Sequence, residues 1–317
     1  MRTSISVALA AALFSSPAFT QQLRHGTESI PDFSGIWGHP YLFPGFEQPF
    51  SGHGPLVNKY QRKQLYDADG RPLPTTETVF VGDNNKMAAD YSDPILKPPA
   101  ADAVKKHGAI ELSGEAAPNP SNQCWPEPLP YIFWNFGVQM LQQPDKITIL
   151  YDQDHEFRQV RMNKQHPPQV TPSWYGDSIG YYEGDTLVID TVGIKVDRPF
   201  AMMDMFGTPY SPALHVVERF RLIDYEAVKE AQDRAGKQLF RLPGPAEGWS
   251  SDPNYRGKGL QLEFIVEDEG VFTMPWAAIV TYRLVLREWP EEVCAENLHA
   301  TYFARDSAAP QADRPDF

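Results

Sequence analysis

Gly176-Asp177-Ser178-Ile179-Gly180-Tyr181-Tyr182-Glu183-Gly184-Asp185-Thr186-Leu187-Val188-Ile189-Asp190-Thr191-Val192 reads as two short strands around a turn. The predicted strands are Trp174 to Tyr182 and Thr186 to Val192. Between them, Glu183-Gly184-Asp185 offers a glycine that can take positive φ in a tight hairpin turn. The same signal recurs on both sides. Gln139 to Gln143 and Ile147 to Tyr151 flank Pro144-Asp145-Lys146, and Phe157 to Met162 follows. His215 to Ile223 is the next strand, and Leu260, Leu262, Phe264 and Val266 alternate with Gln261, Glu263, Ile265 and Glu267. A turn at Glu269-Gly270 leads to Val271 to Trp276, with Ala277 to Leu286 last. Roughly eight short strands in hairpin order with one buried face predict a mainly β fold, an antiparallel barrel or strongly curved sheet, because closure removes exposed edges.

Helices are few. Tyr225 to Lys237 is the convincing one, with acidic residues early and basic ones late. Ala101 to His107 after Pro98-Pro99, and Leu56 to Tyr66 after Pro55, are shorter candidates. The 317 residues include 30 prolines, roughly twice the usual ~5% share, which excludes long helical bundles. Many of these prolines crowd the segment between residues 31 and 130, where Trp37, Phe43, Phe46, Phe50, Tyr60, Phe80 and Tyr91 also lie. Such aromatics need burial, so the segment reads as an irregular arm wrapped on the core. The expected organisation is a signal peptide at 1–20 and a Pro-rich arm at 21–135 that carries the first, Gly-x-Trp strand. An antiparallel β core at 136–305 and a polar tail at 306–317 follow.

Arg2, the apolar run Ile5 to Phe14 and the small residues around Ala18 form the pattern of a cleaved signal peptide. The run is too short to span a bilayer, and no later window approaches the ~18 apolar residues a span requires. The protein is therefore expected in a periplasm or secreted. Pro310 and Pro315 argue against an outer-membrane strand at the C-terminus. Cys124 and Cys294 are the only cysteines; in an oxidising compartment they form one disulfide, the alternative being two buried thiols. Lys and Arg total 28 against 41 Asp and Glu, a net charge of −13. That sign disfavours nucleic acid as a partner. Nothing in the pattern specifies an oligomeric state, a cofactor or a metal.

Gly35-Ile36-Trp37, a Gly-x-Trp ahead of antiparallel strands, resembles the opening of lipocalins. That resemblance implies a tryptophan plugging the closed end of a barrel and stacking on an arginine of the last strand, Arg283 or Arg287. The long insertion from 38 to 136 departs from the lipocalin pattern. More broadly, Pro31-Asp32-Phe33-Ser34-Gly35-Ile36-Trp37, His166-Pro167 and the stretch from Gly176 to Val188 resemble a family of secreted bacterial proteins of unknown function. This implies export and architecture and no particular chemistry.

Gly176-Asp177-Ser178-Ile179-Gly180 fits the G-x-S-x-G elbow of serine hydrolases, and His215 or His299 follows in suitable order. That mechanism needs strand, sharp turn and helix, whereas a hairpin follows here, so Ser178 reads as a structural turn or strand residue. Asp152, Asp154 and Glu156 start like a calcium loop, but Phe157 stands where glycine is required. Even with His155 and His166 nearby, a solvated acidic turn is the better account. More promising are His166, Asp177, Glu183, Asp185, His215, Glu218 and Arg219 on neighbouring strands, where a carboxylate can orient an imidazole for proton transfer. On a strand, His215 and Arg219 share a face and Glu218 points the other way. The plainer alternative is rim ion pairs and a capped turn. Aromatics are dense at Tyr131, Phe133, Trp134 and Phe136, and along the strands at Trp174, Tyr175, Tyr181, Tyr182, Phe220, Trp276 and Tyr282.

The leading expectation is a lipocalin-like barrel that binds a small apolar or aromatic molecule, using Trp37, Trp134, Trp174, Tyr182, Phe220, Tyr282 and Arg219. A second is a lyase, isomerase or hydrolase with His166 or His215 as base and Asp177, Glu183 or Asp185 as partner. A third is a structural or envelope-interaction protein with every aromatic in the core.

Overall fold

The computed structural model describes residues 30–38, 42–43, 46–59, 88–134, 137–152, 156–238, 240–241, 255–285, 291 and 293–294. The signal-peptide and tail readings, Phe136, Asp154, His155, Arg287 and His299 lie outside these residues.

Nine strands close into a barrel. They are β1 (Ile36–Gly38), β3 (Gly137–Gln142), β4 (Lys146–Tyr151), β5 (Phe157–Met162), β6 (Asp177–Glu183), β7 (Thr186–Val192), β8 (His215–Ile223), β10 (Gly259–Glu267) and β11 (Trp276–Val285). Around the barrel the order is β1-β11-β10-β8-β7-β6-β5-β4-β3, while β2 (Leu42–Phe43) and β9 (Phe240–Arg241) pair separately. The helices among the described residues are α1 (Pro98–Ser113) and α2 (Tyr225–Gln238), apart from short 3-10 turns at Ser121–Gln123 and Tyr131–Trp134. The molecule is thus mainly β and barrel-shaped, as the alternation predicts.

Four expectations need correction. The barrel is mixed, because β5 and β6 run parallel through Val160↔Ser178, Arg161↔Ile179 and Met162↔Gly180. Parallel neighbours need a crossover of a dozen or so residues, and the 163–176 connection supplies it. Val271 to Trp276 is not a strand: Phe272 makes one isolated bridge to Leu96, and β11 starts at Trp276. Leu56 to Lys59 is not helical either; Asn58 forms a bridge with Ala89. Finally, α1 runs past His107 to Ser113, where Gly114 (φ 92°) ends it with its N–H on the Glu111 carbonyl. Gly108 lies within it, and a Cβ there would lie 2.8 Å from the Ala88 side chain, so this close packing needs glycine.

Side chains alternate as the period-2 pattern requires. Inward go Ile147, Ile149, Val160, Leu187, Ile189, Val216, Phe220, Leu260, Leu262, Phe264, Val280 and Tyr282, all buried. The lumen is also filled by the chain itself. Tyr131, Ile132, Phe133 and Trp134 are fully buried or nearly so, with Phe133 packed edge-on to Phe264 at 5.0 Å and its carbonyl accepting from the Tyr282 hydroxyl. Trp37 is buried, lies opposite Leu284 across β1–β11, and donates its indole N–H to the Phe33 carbonyl. Arg283 falls between Tyr282 and Leu284 and so faces the other side of β11 from Trp37. The arginine stacking implied by the lipocalin resemblance is therefore not made by Arg283.

The described part of the N-terminal segment is tied to the barrel. Glu47 pairs backbone to backbone with Ile279, and Phe46 meets Phe264 edge-on at 5.1 Å. Glu47 is itself buried, and burial pushes its carboxyl up to about 7 against the opposing pull of Arg234 on α2, 2.9 Å away. A Cys124–Cys294 disulfide, Cα atoms 5.5 Å apart, joins this segment to the far side of the chain.

Candidate functional site

Three polar constellations stand out, two of them on opposite faces of the same strands. On β7 and β8, Thr191 and Glu218 point into the lumen, while Asp190, His215 and Arg219 point outward. The lumen side holds a fully buried ion pair. Arg158 of β5 donates from both terminal nitrogens to Glu218, each at 2.6 Å. Ser178 and Thr191 hydrogen-bond each other at 2.9 Å, and Arg158 Nη1 reaches both hydroxyls. Phe133 lies under the guanidinium at 5.9 Å, and the Tyr151 hydroxyl faces it. Burial is the largest single effect and would lower the Arg158 pKa, but Glu218 and Tyr151 together outweigh it and hold the guanidinium above its ordinary value. Burial likewise pushes the Tyr151 phenol up. Ser178 is therefore a second partner of a buried arginine, not an exposed nucleophile.

The outward side carries a chain of alternating charge. Arg161 on β5 donates to both oxygens of Asp177 on β6, at 2.8 and 2.7 Å. His166, in the crossover, sets Nδ1 at 2.7 Å from Asp177 and Nε2 at 3.0 Å from Asp190. His215 sets Nε2 at 3.0 Å from that same Asp190 oxygen and Nδ1 at 3.1 Å from Glu267 on β10. The Asp190 hydrogen bond is the chief cause of a raised His215 pKa; burial opposes it and Glu267 adds to it. Burial would raise the Asp190 carboxyl, yet the two imidazoles together hold it below its ordinary value.

This geometry decides what the histidines can do. A general base needs a ring nitrogen with a free lone pair aimed at substrate. Here every nitrogen of both rings meets a carboxylate oxygen, and satisfying all of these contacts takes an N–H on each nitrogen. The expected acid–base residues are therefore brought together, with Asp190 and Glu267 added, but in an arrangement that suits binding between strands. Glu183 instead pairs with Arg219 on the outer face, and Asp185 accepts from Thr186 in the turn.

The third constellation lies at the surface. Trp125 is 40% exposed and stacks on Trp174 with centroids 5.8 Å apart and planes 14° from parallel. The Arg198 guanidinium sits 4.3 Å and the Lys195 ammonium 5.6 Å from the Trp174 ring centre. Arg198 is fixed by the Pro126 carbonyl. Behind it lie Tyr175, whose phenol is pushed up by burial and by neighbouring Glu156, and Tyr210, pushed up to about 12 by burial against the pull of Arg198.

Of the aromatics expected to line a ligand site, Trp37, Trp134, Phe220 and Tyr282 are core residues filling the lumen. Tyr182 is half-buried and hydrogen-bonded to Gln142, leaving Trp174 as the one at an accessible edge. A gap between the arm and the barrel, lined by Leu56, Ile95, Asp204, Phe272 and Trp276, does not admit a water molecule. Asp152 is buried, so the acidic turn is not wholly solvated. Trp125, Arg198, Asp190 and Glu267 went unseen in the sequence. For Asp190 the signal was present: an acid on the same outward face as its strand's Val188 and Val192, next to a strand bearing His215.

No protein-family model, curated protein or solved structure matches this chain. Its own geometry therefore carries the functional argument. Among the described residues no helix is long and apolar enough to cross a membrane.

Proposed function

We propose that this is an exported protein that binds a small planar aromatic molecule carrying an anionic group. Its site is the ledge formed by Trp125 and Trp174, flanked by Lys195 and Arg198. The carrying observation is the stacked, partly exposed indole pair with two cations on one ring. A flat π surface left in water gains about 1–3 kcal/mol from stacking a flat ligand, and a nearby ammonium selects an anion. The disulfide supports export, since such bonds persist in oxidising compartments. Binding within the lumen has less support, because core aromatics and the Tyr131–Trp134 turn occupy that space. Catalysis by His166 or His215 has less support for want of a free ring nitrogen.

The test is a fluorescence titration with indole-3-acetate, benzoate and their neutral amides. Saturable quenching by the carboxylates is expected, weakened about tenfold or more in Trp125→Ala. Lys195→Ala should cost the carboxylates several-fold and leave the amides unchanged. Equal quenching of wild type and Trp125→Ala, or no saturation with any probe, would overturn the assignment.

A further inference from the structure

The outer chain of acids and imidazoles spans a short seam of the barrel. Between β5 and β6 the parallel register covers only three residue pairs, and the crossover that joins them is mostly exposed. From Asn163 to Ser173, His166 and Val170 alone are better than exposed. Val170 packs against Gly193, where a Cβ would come within 2.3 Å of it. His166 reaches across to Asp177 and Asp190. Pro167 and Pro168 hold the backbone beside it extended and without amide donors, so the ring supplies what the main chain does not.

We infer that His166 and His215, sharing Asp190, form a proton-operated clasp that pins the 163–176 crossover and ties β6, β7, β8 and β10 together on the outside of the barrel. With both rings doubly protonated, Arg161 and two imidazolium ions face Asp177, Asp190 and Glu267, and the charges balance. Deprotonation leaves each ring one N–H for two carboxylates. One contact per ring then becomes a lone pair facing an anion, and the strip carries three negative charges against one positive. Tyr181 and Glu218 also lie within electrostatic reach of Asp190, and neither supplies a compensating cation.

The direction with pH follows from His215. Its pKa is raised above the ordinary 6.5 by Asp190, then Glu267, against burial. The clasp's contribution is thus complete below that ordinary value and is lost as pH rises through the raised one. At the acid end, Asp190 lies below its ordinary 3.8, so its share holds until pH falls through that lowered value. Because Trp174 lies in the crossover, opening would also weaken the aromatic ledge. That last consequence rests on the ligand-binding proposal; the clasp does not.

Hydrogen exchange on the full chain, without ligand, tests the clasp. The Asn163, Ser173 and Gly176 amides are each held by one backbone acceptor. Their protection factors, corrected for intrinsic rates, should fall tenfold or more between pH 6 and pH 9, while those of β10 stay level. Asp190→Asn should show the low crossover protection already at pH 6. Imidazole 15N shifts of the wild type should report the His215 ring doubly protonated at pH 6. Level crossover protection across that pH range, or a neutral His215 ring at pH 6, would overturn the inference. Should ledge titrations fail while exchange behaves as expected, the ligand proposal falls and the clasp stands.

Discussion

Glu218→Ala should cost about 3–5 kcal/mol of unfolding free energy, because it strands the Arg158 guanidinium in the barrel without its counter-ion. The pair is fully buried and bidentate, and the Ser178 and Thr191 hydroxyls cannot neutralise a full charge. Against a typical total of 5–15 kcal/mol, this variant should sit near the edge of folding at 37 °C. The informative control is the double replacement Arg158→Met with Glu218→Leu, which removes both charges and keeps volume. Replacing a buried ion pair by well-packed apolar residues is often neutral or stabilising, so the double variant should recover most of the loss. Urea unfolding of wild type, single and double variants measures both. A single-variant loss below about 1 kcal/mol would mean that water or a shifted side chain reaches Arg158.

The disulfide is expected to act on a similar scale. Cys124 and Cys294 are 170 residues apart in sequence, and the chain-entropy model gives about 5 kcal/mol for a loop of that length. Cys124→Ser with Cys294→Ser, or reduction of the wild type, should therefore lower stability by up to that amount in urea unfolding at constant pH. A second effect is local. Cys124 adopts φ 52° directly before Trp125, so the bridge also fixes the start of the ledge. The serine pair should lose aromatic-ligand quenching even at temperatures where the barrel remains folded. Unchanged unfolding midpoints with and without reductant would show that the surrounding segment is held by other contacts.

The barrel was largely legible from period-2 alternation. The β6–β7 hairpin follows directly from Gly184, which takes φ 60° in the turn, and β10 from its apolar inner set. Strand direction was not legible, since alternation is the same read either way, and so the parallel β5–β6 pairing was missed. The length of α1 was hidden by Gly108, whose role is contact with Ala88 and not helix termination. At the site, face parity correctly separates His215 and Arg219 from Glu218. It says nothing of what stands opposite, and that is why Arg158 and Glu267 were unseen. The aromatic residues carry the least positional information: an indole that fills a core and one that meets solvent have the same composition signal. Trp174 is distinguished from Trp37 only by where the crossover lies.

The placement of β1 sets the order in which this molecule can be completed. Ile36–Gly38 pairs on one side with β3 and on the other with β11, so the strand made earliest closes a ring whose last member is made far later. Until β11 emerges, a growing chain holds β1 with at least one open edge, and an unpaired edge is a template for wrong partners. Closure between such distant segments also carries a large search cost, which slows folding of β topologies. The finished barrel hides its edges, and the unfinished one is obliged to expose them, making its vulnerable moment one of assembly.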